Sequence, residues 1–544
     1  MSVTAVAPVL RDHGLAILAI SAAVFAFYKT FLAASLPKDI PLVREKPGRK
    51  GFSLRTRISF YLDCSRLYRD VWDKFSKKGK PVVVPTLGPR KEIFLPHSSI
   101  KWAISQPANI LGMWEAFNDN FQLQSSLGDE KYMLDTWVHH LTRHVLTGEL
   151  ENHIMPVYEE LQLAIDARLG HNTEEWRTLD LLDTMRMIGN QAGSRFGVGL
   201  PLCRDEEYLR TIMDTIDGVL ANAGIIGLLP SFLRPVAAPV VCWGTRKGVA
   251  KLEAKCDPVF KERIAYMESN PDETNDPGDF LQKMLRYAHQ KRPEELATDQ
   301  MTRRLLVANL GFTYLAGFAM CNMLLNILAS DSTYNTVDVL RQEAETFLNS
   351  ATSHSELWKR KSTSRMVYVD SVARETLRLN NLPTRTLARQ VMVDGLKTDD
   401  GTPLPRGSFV SFVSQPMHTD AEHFENPNTF DPFRFVRLRK EEAEAKGSKA
   451  STEAGGAWSQ HSFLSTASLL VFGRGRNSCA GRFLLDFELK MMISYLLTNY
   501  DIKFPDEYQN KRPANRWLLE FIFPDKRAKI QVRRRKPVAV NSEK

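Results

Sequence analysis

The stretch "LLVFGRGRNSCAGRFLLDFELK", Leu469 to Lys490, decides the fold, because it sets one cysteine, Cys479, among glycines and arginines immediately before an apolar run. A lone cysteine is most often a small buried hydrophobe, so its role has to come from its neighbours. Gly475 and Gly481 permit tight turns and close backbone approach. The run from Phe483 reads as a helix whose positive N-terminal end lies near the sulfur and depresses its pKa. Phe472 packs beside a ligand in this reading, and Arg476 meets a carboxylate. A thiolate that ligates iron needs these things: deprotonation, close access for a flat cofactor, and N–H donors to sulfur.

The rest of the composition sets bounds. With 544 residues, 43% hydrophobic and 10% aromatic, the chain buries a large core and is neither disordered nor fibrous. The formal charge of +9 comes from charges of both signs mixed along the chain, which is weak ground for a nucleic-acid partner, and none is expected. The six cysteines, Cys64, Cys203, Cys242, Cys256, Cys321 and Cys479, contain no C-x-x-C pair. That argues against a zinc site or a disulfide framework and for a reducing compartment.

Two apolar segments raise the question of a membrane. "GLAILAISAAVFAFY", Gly14 to Tyr28, resumes after Lys29 as "TFLAASL". It spans a bilayer if Lys29 snorkels, with a cleaved signal peptide as the alternative. The basic flank "KDIPLVREKPGRK" and the lack of a clean cleavage site favour a retained anchor over 14–36, after a short segment 1–13, with everything downstream cytosolic. The second segment, Leu305 to Ser330, is long enough for another span. Asn309, Asn322 and Asn326, with Gly311 and Gly317, suit a helix buried through a large domain better than one in lipid.

Between and beyond these segments, "SFYLDCSRLYRDVWDKFSKKG" has helical spacing, and "PVVVPTLGPRKEIFLP" reads as two strands about Gly88-Pro89. A long helical region follows from about Ser98 to Leu379, then short extended pieces such as "TRTLARQVMV" and "IFPDKRAKIQVRR". The patch "RKEEAEAKGSKASTEAGG" reads as a solvated insertion, taken as 436–465, within one helix-rich domain, 37–544, that carries a minor sheet.

"FGRGRNSCAG" resembles the cysteine-ligand loop of the cytochrome P450 superfamily, F-x-x-G-x-R-x-C-x-G, whose cysteine is the axial thiolate of haem b. Phe472, Gly475, Cys479 and Gly481 match; Asn477 occupies the usual basic slot, with Arg476 one place earlier. "RETLR" supplies the family's E-x-x-R pair as Glu375 and Arg378, and "FDPFRF" supplies Arg434. By the resemblance, one carboxylate shared by two guanidiniums braces the cysteine loop from behind. The likeness to ascomycete members covers nearly the whole chain, including "HHLTRHVLTGELENHI" and "SRFGVGLPLCRDEEYL". It implies a mainly α cytochrome P450 fold with a minor β-sheet region and an N-terminal membrane anchor helix. It further implies Arg385 and Arg143 as haem-propionate contacts.

The central helix departs from the family's A-G-x-[D/E]-T proton relay. One register puts Gly311, Phe312, Thr313, Tyr314 and Leu315 in those slots, so that leucine replaces the hydroxyl; the other puts Ala319 and Met320 in the acid and alcohol slots. Thr313, Tyr314 and Leu315 are therefore the candidate catalytic positions, with pocket lining as the plain alternative.

The implied function is a monooxygenase or oxidase at the endoplasmic reticulum membrane, acting on a bulky lipophilic specialised metabolite of terpenoid or polyketide type. Its electrons come from NADPH through a reductase, and membrane lipid is a further partner. Desaturation, coupling or rearrangement without oxygen insertion is the alternative chemistry. A haem-loaded scaffold without turnover is the alternative of a different class.

Overall fold

The computed structural model describes residues 39–270, 278–350, 353–445 and 469–536, with isolated positions 23, 25 and 27. The chain forms two units: residues up to 125 with 222–241 and 387–413, and residues 126–221, 242–386 and 414 onward.

In the first unit the two extended runs on either side of Gly88-Pro89, VVVP and KEIF, form an antiparallel pair. β1 (Val82–Pro85) sets Val82 opposite Phe94 of β2 (Lys91–Phe94). Gly88 turns the chain at φ +59°, a left-handed conformation that suits glycine. The sheet is completed by β3 (Leu111–Gly112), β4 (Arg385–Val391, of which the last five residues lie in this unit) and β5 (Phe409–Val413), in the order β1-β2-β5-β4-β3. The β2–β5 contact is parallel, with Ile93 opposite Val410. The expected helical stretch before β1 is split at Asp63 into Leu54–Leu62 and Cys64–Lys74. The second piece is buried through Leu67, Tyr68, Val71 and Trp72, and its Tyr68 ring lies 5.3 Å from Phe94 of the sheet.

The second unit is a helical assembly about a central helix in three parts. Thr298–Asn309 is α-helical, Leu310–Tyr314 is a π-helical turn, and Leu315–Tyr334 is α-helical again. Two glycines let neighbouring backbones close on it. A Cβ at Gly193 of the helix Leu181–Gly197 would lie 2.8 Å from the Phe312 carbonyl oxygen, and one at Gly317 would lie 2.5 Å from the Arg186 Cα. Side chains at either position would force the helices apart. A three-stranded antiparallel sheet, Arg177–Asp180, Lys529–Arg534 and Tyr500–Lys503 with Lys529–Arg534 in the middle, includes the extended piece expected near the C-terminus.

The expectation of an N-terminal anchor helix in this fold is corrected. Among the described residues, the one helix long and apolar enough to cross a membrane is internal, Thr298–Tyr334, and 89% of its most apolar window is buried inside the protein. Its apolarity comes from packing against protein on most of its surface, the second of the two readings given to Leu305–Ser330. Apart from positions 23, 25 and 27, the segment 14–36 lies outside the described residues. The segment 436–465 begins within the helix Arg434–Ala445, and from 446 it too lies outside them.

Candidate haem-thiolate site

The cysteine loop is built by backbone hydrogen bonds that fold it back on itself. The Cys479 N–H donates to the Phe472 carbonyl at 2.9 Å, Ser478 N–H to Gly475 O at 3.0 Å, and Gly473 N–H to Leu470 O at 3.1 Å. Gly473 and Gly475 hold φ of +67° and +77°, which explains two of the glycines in the motif. The helix Arg482–Asn499 starts directly behind the sulfur, with Gly481 as its N-cap residue. A Cβ at Gly481 would stand 3.5 Å from Cys479 Sγ and 3.7 Å from the Gly311 carbonyl oxygen of the central helix. An alanine there would make only ordinary contact, whereas a longer side chain would crowd the sulfur.

Of the six cysteines, Cys479 alone is exposed. Its surroundings nevertheless desolvate the sulfur enough to push the thiol above its ordinary value. The N–H groups of Gly481 and Arg482, with the Arg482 and Arg143 charges, pull the other way. The helix N-terminus thus acts on the sulfur in the expected direction, but desolvation outweighs it. A bound iron would favour the thiolate here, since a metal-coordinated thiol is deprotonated. An accessible sulfur, N–H donors aimed at it and a glycine keeping its face open together fit a haem thiolate.

Arg143 reaches the loop from the helix Trp137–His144, donating to the Ser478 carbonyl at 3.1 Å. Arg476 is exposed on the loop's short 3₁₀ turn, and Phe472 is partly buried. Arg385 is already engaged, its Nε and Nη2 donating to the two Glu520 carboxylate oxygens at 2.5 and 3.0 Å. Sequence reading missed Glu520, which sits between the strands Arg516–Leu518 and Phe521–Phe523 and carries no motif of its own.

Glu375, Arg378 and Arg434 come together. Glu375 is fully buried in the helix Val367–Asn380. It accepts from Arg378 Nε and Nη2, both at 2.7 Å, from Arg434 Nε at 3.1 Å and from the Asp431 N–H at 3.1 Å. The arginines spend their remaining donors on carbonyls: Arg378 on His418 and Pro427, both at 2.6 Å, and Arg434 on Glu425, Asn426 and Thr429. The trio is therefore the hub on which the segment 418–434 is folded.

The three central-helix candidates point in different directions. Thr313 is buried, with its hydroxyl donating to the Asn309 carbonyl of its own helix at 3.0 Å. Tyr314 is buried beneath Arg186, whose guanidinium carbon lies 5.3 Å from the ring centre, and its hydroxyl meets Asp217. Leu315 is 43% exposed, and Gly311 is exposed one turn earlier. In the second register, Ala319 and Met320 are both buried. The π-turn that produces this arrangement has no sequence signature in "NLGFTYLAG".

Two further arginines, not singled out in the sequence, join Arg143 at the loop. The Arg482 and Arg360 guanidiniums lie 4.1 and 4.4 Å from the Phe483 ring centre, and Arg482 also donates to the Cys479 carbonyl.

A cysteine loop of this shape, a helix starting at the sulfur and a buried carboxylate–diguanidinium hub define a haem-thiolate oxygenase. The family model for cytochrome P450 matches residues 136–532, and the chain belongs to that family. Similar proteins include the cytochrome P450 monooxygenase pbrC of Penicillium brasilianum, 41% identical and covering 94% of both chains. The monooxygenases astC of Aspergillus terreus (40%, covering 93% of this chain and 94% of that one) and tenB of Beauveria bassiana (37%, 91% and 92%) are also similar. The crystal structure of the cytochrome P450DA heme domain shares the fold, with a TM-score of 0.64 at 14% identity over 92% of this chain and 98% of that one. The chain is a haem-thiolate enzyme of the cytochrome P450 monooxygenase class, with haem b as cofactor and NADPH as electron source.

Proposed function

We propose that the enzyme oxidises a bulky lipophilic specialised metabolite of terpenoid or polyketide type, with protons supplied by water or by the substrate's own hydroxyl group. The observation that carries this reading is the accessible face of the central helix, where Gly311 and Leu315 stand exposed while Thr313 and Tyr314 are turned inward onto Asn309 and Asp217. An apolar contact there suits an apolar substrate, and no side-chain hydroxyl at these two positions competes for its orientation.

Cys479 would hold haem b, which would supply redox-active iron for oxygen chemistry. Gly475 and Gly481 keep the backbone close to the sulfur, Phe472 packs beside it, and Arg143 and Arg476 carry the charge for the haem carboxylates. Arg385 contributes through its Glu520 pair, which fixes the start of β4. Glu375, Arg378 and Arg434 keep the cysteine loop's support rigid.

The same exposed Leu315 favours a second outcome, desaturation, coupling or rearrangement without oxygen insertion, because a site without a fixed proton donor couples electrons to oxygen insertion less tightly. Turnover of the metabolite under oxygen-18 gas separates the two: a product carrying the heavy atom establishes insertion, and a changed product without it establishes the alternative.

The electron donor is an NADPH–cytochrome P450 reductase. Arg360 and Arg482, half-buried beside Phe483 next to the cysteine loop, add positive charge there that suits an acidic partner. The enzyme works at the cytosolic face of the endoplasmic reticulum membrane. Support comes from the first unit, where Phe232, Val236 and Val240 leave large apolar surface in water on and beside the helix Arg234–Val241. Fractionation with a reticulum marker checks the location.

A further inference from the structure

We propose that His418 is a positioning residue for the iron ligand, pinning the cysteine loop to the Glu375–Arg378–Arg434 hub through its Nε2 atom. The inference rests on the reading of Cys479 as the axial thiolate.

His418 ends the short helix Gln415–His418 and is fully buried. Its two halves face two parts of the haem support. The main-chain carbonyl accepts from Arg378 Nη1 at 2.6 Å, which ties the residue to the hub. The imidazole Nε2 accepts the Leu470 N–H at 2.9 Å, which ties it to the start of the cysteine loop. From Leu470 the path is short: its carbonyl accepts the Gly473 N–H, and the Phe472 carbonyl accepts the Cys479 N–H. One residue thus converts the rigidity of the hub into a fixed origin for the turn that presents the sulfur.

The chemistry of the imidazole suits this task and little else. Nε2 accepts the Leu470 N–H only if the ring is neutral with its proton on Nδ1. Burial and the Arg378 charge hold the ring neutral, with its pKa lowered to about 3. The ring's single acceptor is directed at the loop. Leu470 has an apolar anchor beside it, since Leu469 packs with Phe424 and Phe435. Apolar packing sets depth but not position along the chain, and the Nε2 hydrogen bond fixes that position.

Two amides separate position from bulk. In the His418→Gln protein the side-chain oxygen reaches the place of Nε2; in His418→Asn it stops at the place of Nδ1 and leaves the Leu470 N–H unpaired. The full-length holoproteins are compared by haem-to-protein ratio, by the lifetime of the thiolate signature in the reduced carbon monoxide complex, and by amide exchange in the peptide spanning 469–473. With His418→Asn the signature is expected to decay about tenfold faster and the loop amides to exchange faster, while His418→Gln stays within about twofold of the parent. Equal lifetimes and exchange in His418→Asn and the parent overturn the proposal, as does a His418→Gln protein that decays as fast as His418→Asn. If His418→Asn does not fold, His418→Gln decides alone: a parent-like lifetime supports the proposal, and a haem-loaded protein with a short-lived signature overturns it. A parent without the thiolate signature defeats the ligand reading instead.

Discussion

Replacing Glu375 with alanine tests the physical role of the hub. The carboxylate is fully buried and receives four hydrogen bonds, three of them from two guanidiniums and one from the Asp431 amide. Its removal leaves Arg378 and Arg434 charged in a dry interior, a loss of about 3–5 kcal/mol for a buried pair broken on one side. The orphaned Asp431 N–H adds about 1–3 kcal/mol. The sum, about 4–8 kcal/mol, is comparable with the total stability of about 5–15 kcal/mol typical of a folded protein. Haem-loaded Glu375→Ala protein should therefore scarcely accumulate. Glu375→Gln keeps the shape and one acceptor oxygen, so it should load haem but unfold at a clearly lower urea concentration. Replacing all three residues by hydrocarbons should not rescue the fold, because both arginines also satisfy carbonyls between residues 418 and 429. The assay is urea unfolding followed by Soret absorbance, together with the haem-to-protein ratio. A Glu375→Ala protein with normal haem and an unfolding free energy within about 1 kcal/mol of the parent would refute the reasoning.

Cys479→Ala should abolish the thiolate signature of the reduced carbon monoxide complex, and its retention would remove Cys479 as the ligand. Leu315→Thr places a hydroxyl on the exposed face of the central helix and should raise the product formed per NADPH consumed without changing haem loading; an unchanged ratio counts against Leu315 as the position that matters. Glu343 caps the brace helix by accepting the N–H groups of Tyr368 and Val369 at 2.9 and 2.8 Å, and burial raises its pKa from 4.5 to about 7. The folded state therefore binds this proton more tightly than the unfolded chain does. The contribution is full below about pH 4.5 and is lost as pH rises through about 7. Relative to Glu343→Gln, the parent should lose about 1–3 kcal/mol between pH 5 and 8, read from urea midpoints, and parallel pH profiles would exclude the effect.

How far the sequence speaks depends on whether a function is written in one segment or assembled from several. The cysteine loop is local: left-handed glycines, a sulfur and a helix start lie within a dozen residues, so its chemistry is legible from residue types. The strands about Gly88 are legible for the same reason, since a turn residue and the extended runs it separates are neighbours in the chain. The hub is legible only because its members carry recurring spacings; nothing in Glu375 alone says that it is buried. Arg385 shows where this stops. Its place in the chain suggests an anion, and the structure supplies one in Glu520, 135 residues away, which no local pattern points to. The central helix fails for another reason. A regular α-helix would place residues 313–315 in fixed angular steps, but the π-turn at Leu310–Tyr314 inserts an extra residue and shifts the faces that follow. Composition alone likewise could not decide whether the helix Thr298–Tyr334 meets lipid or protein, because both demand an apolar surface. What settles it is the backbone closeness at Gly193 and Gly317, a property of two helices together that neither sequence contains by itself.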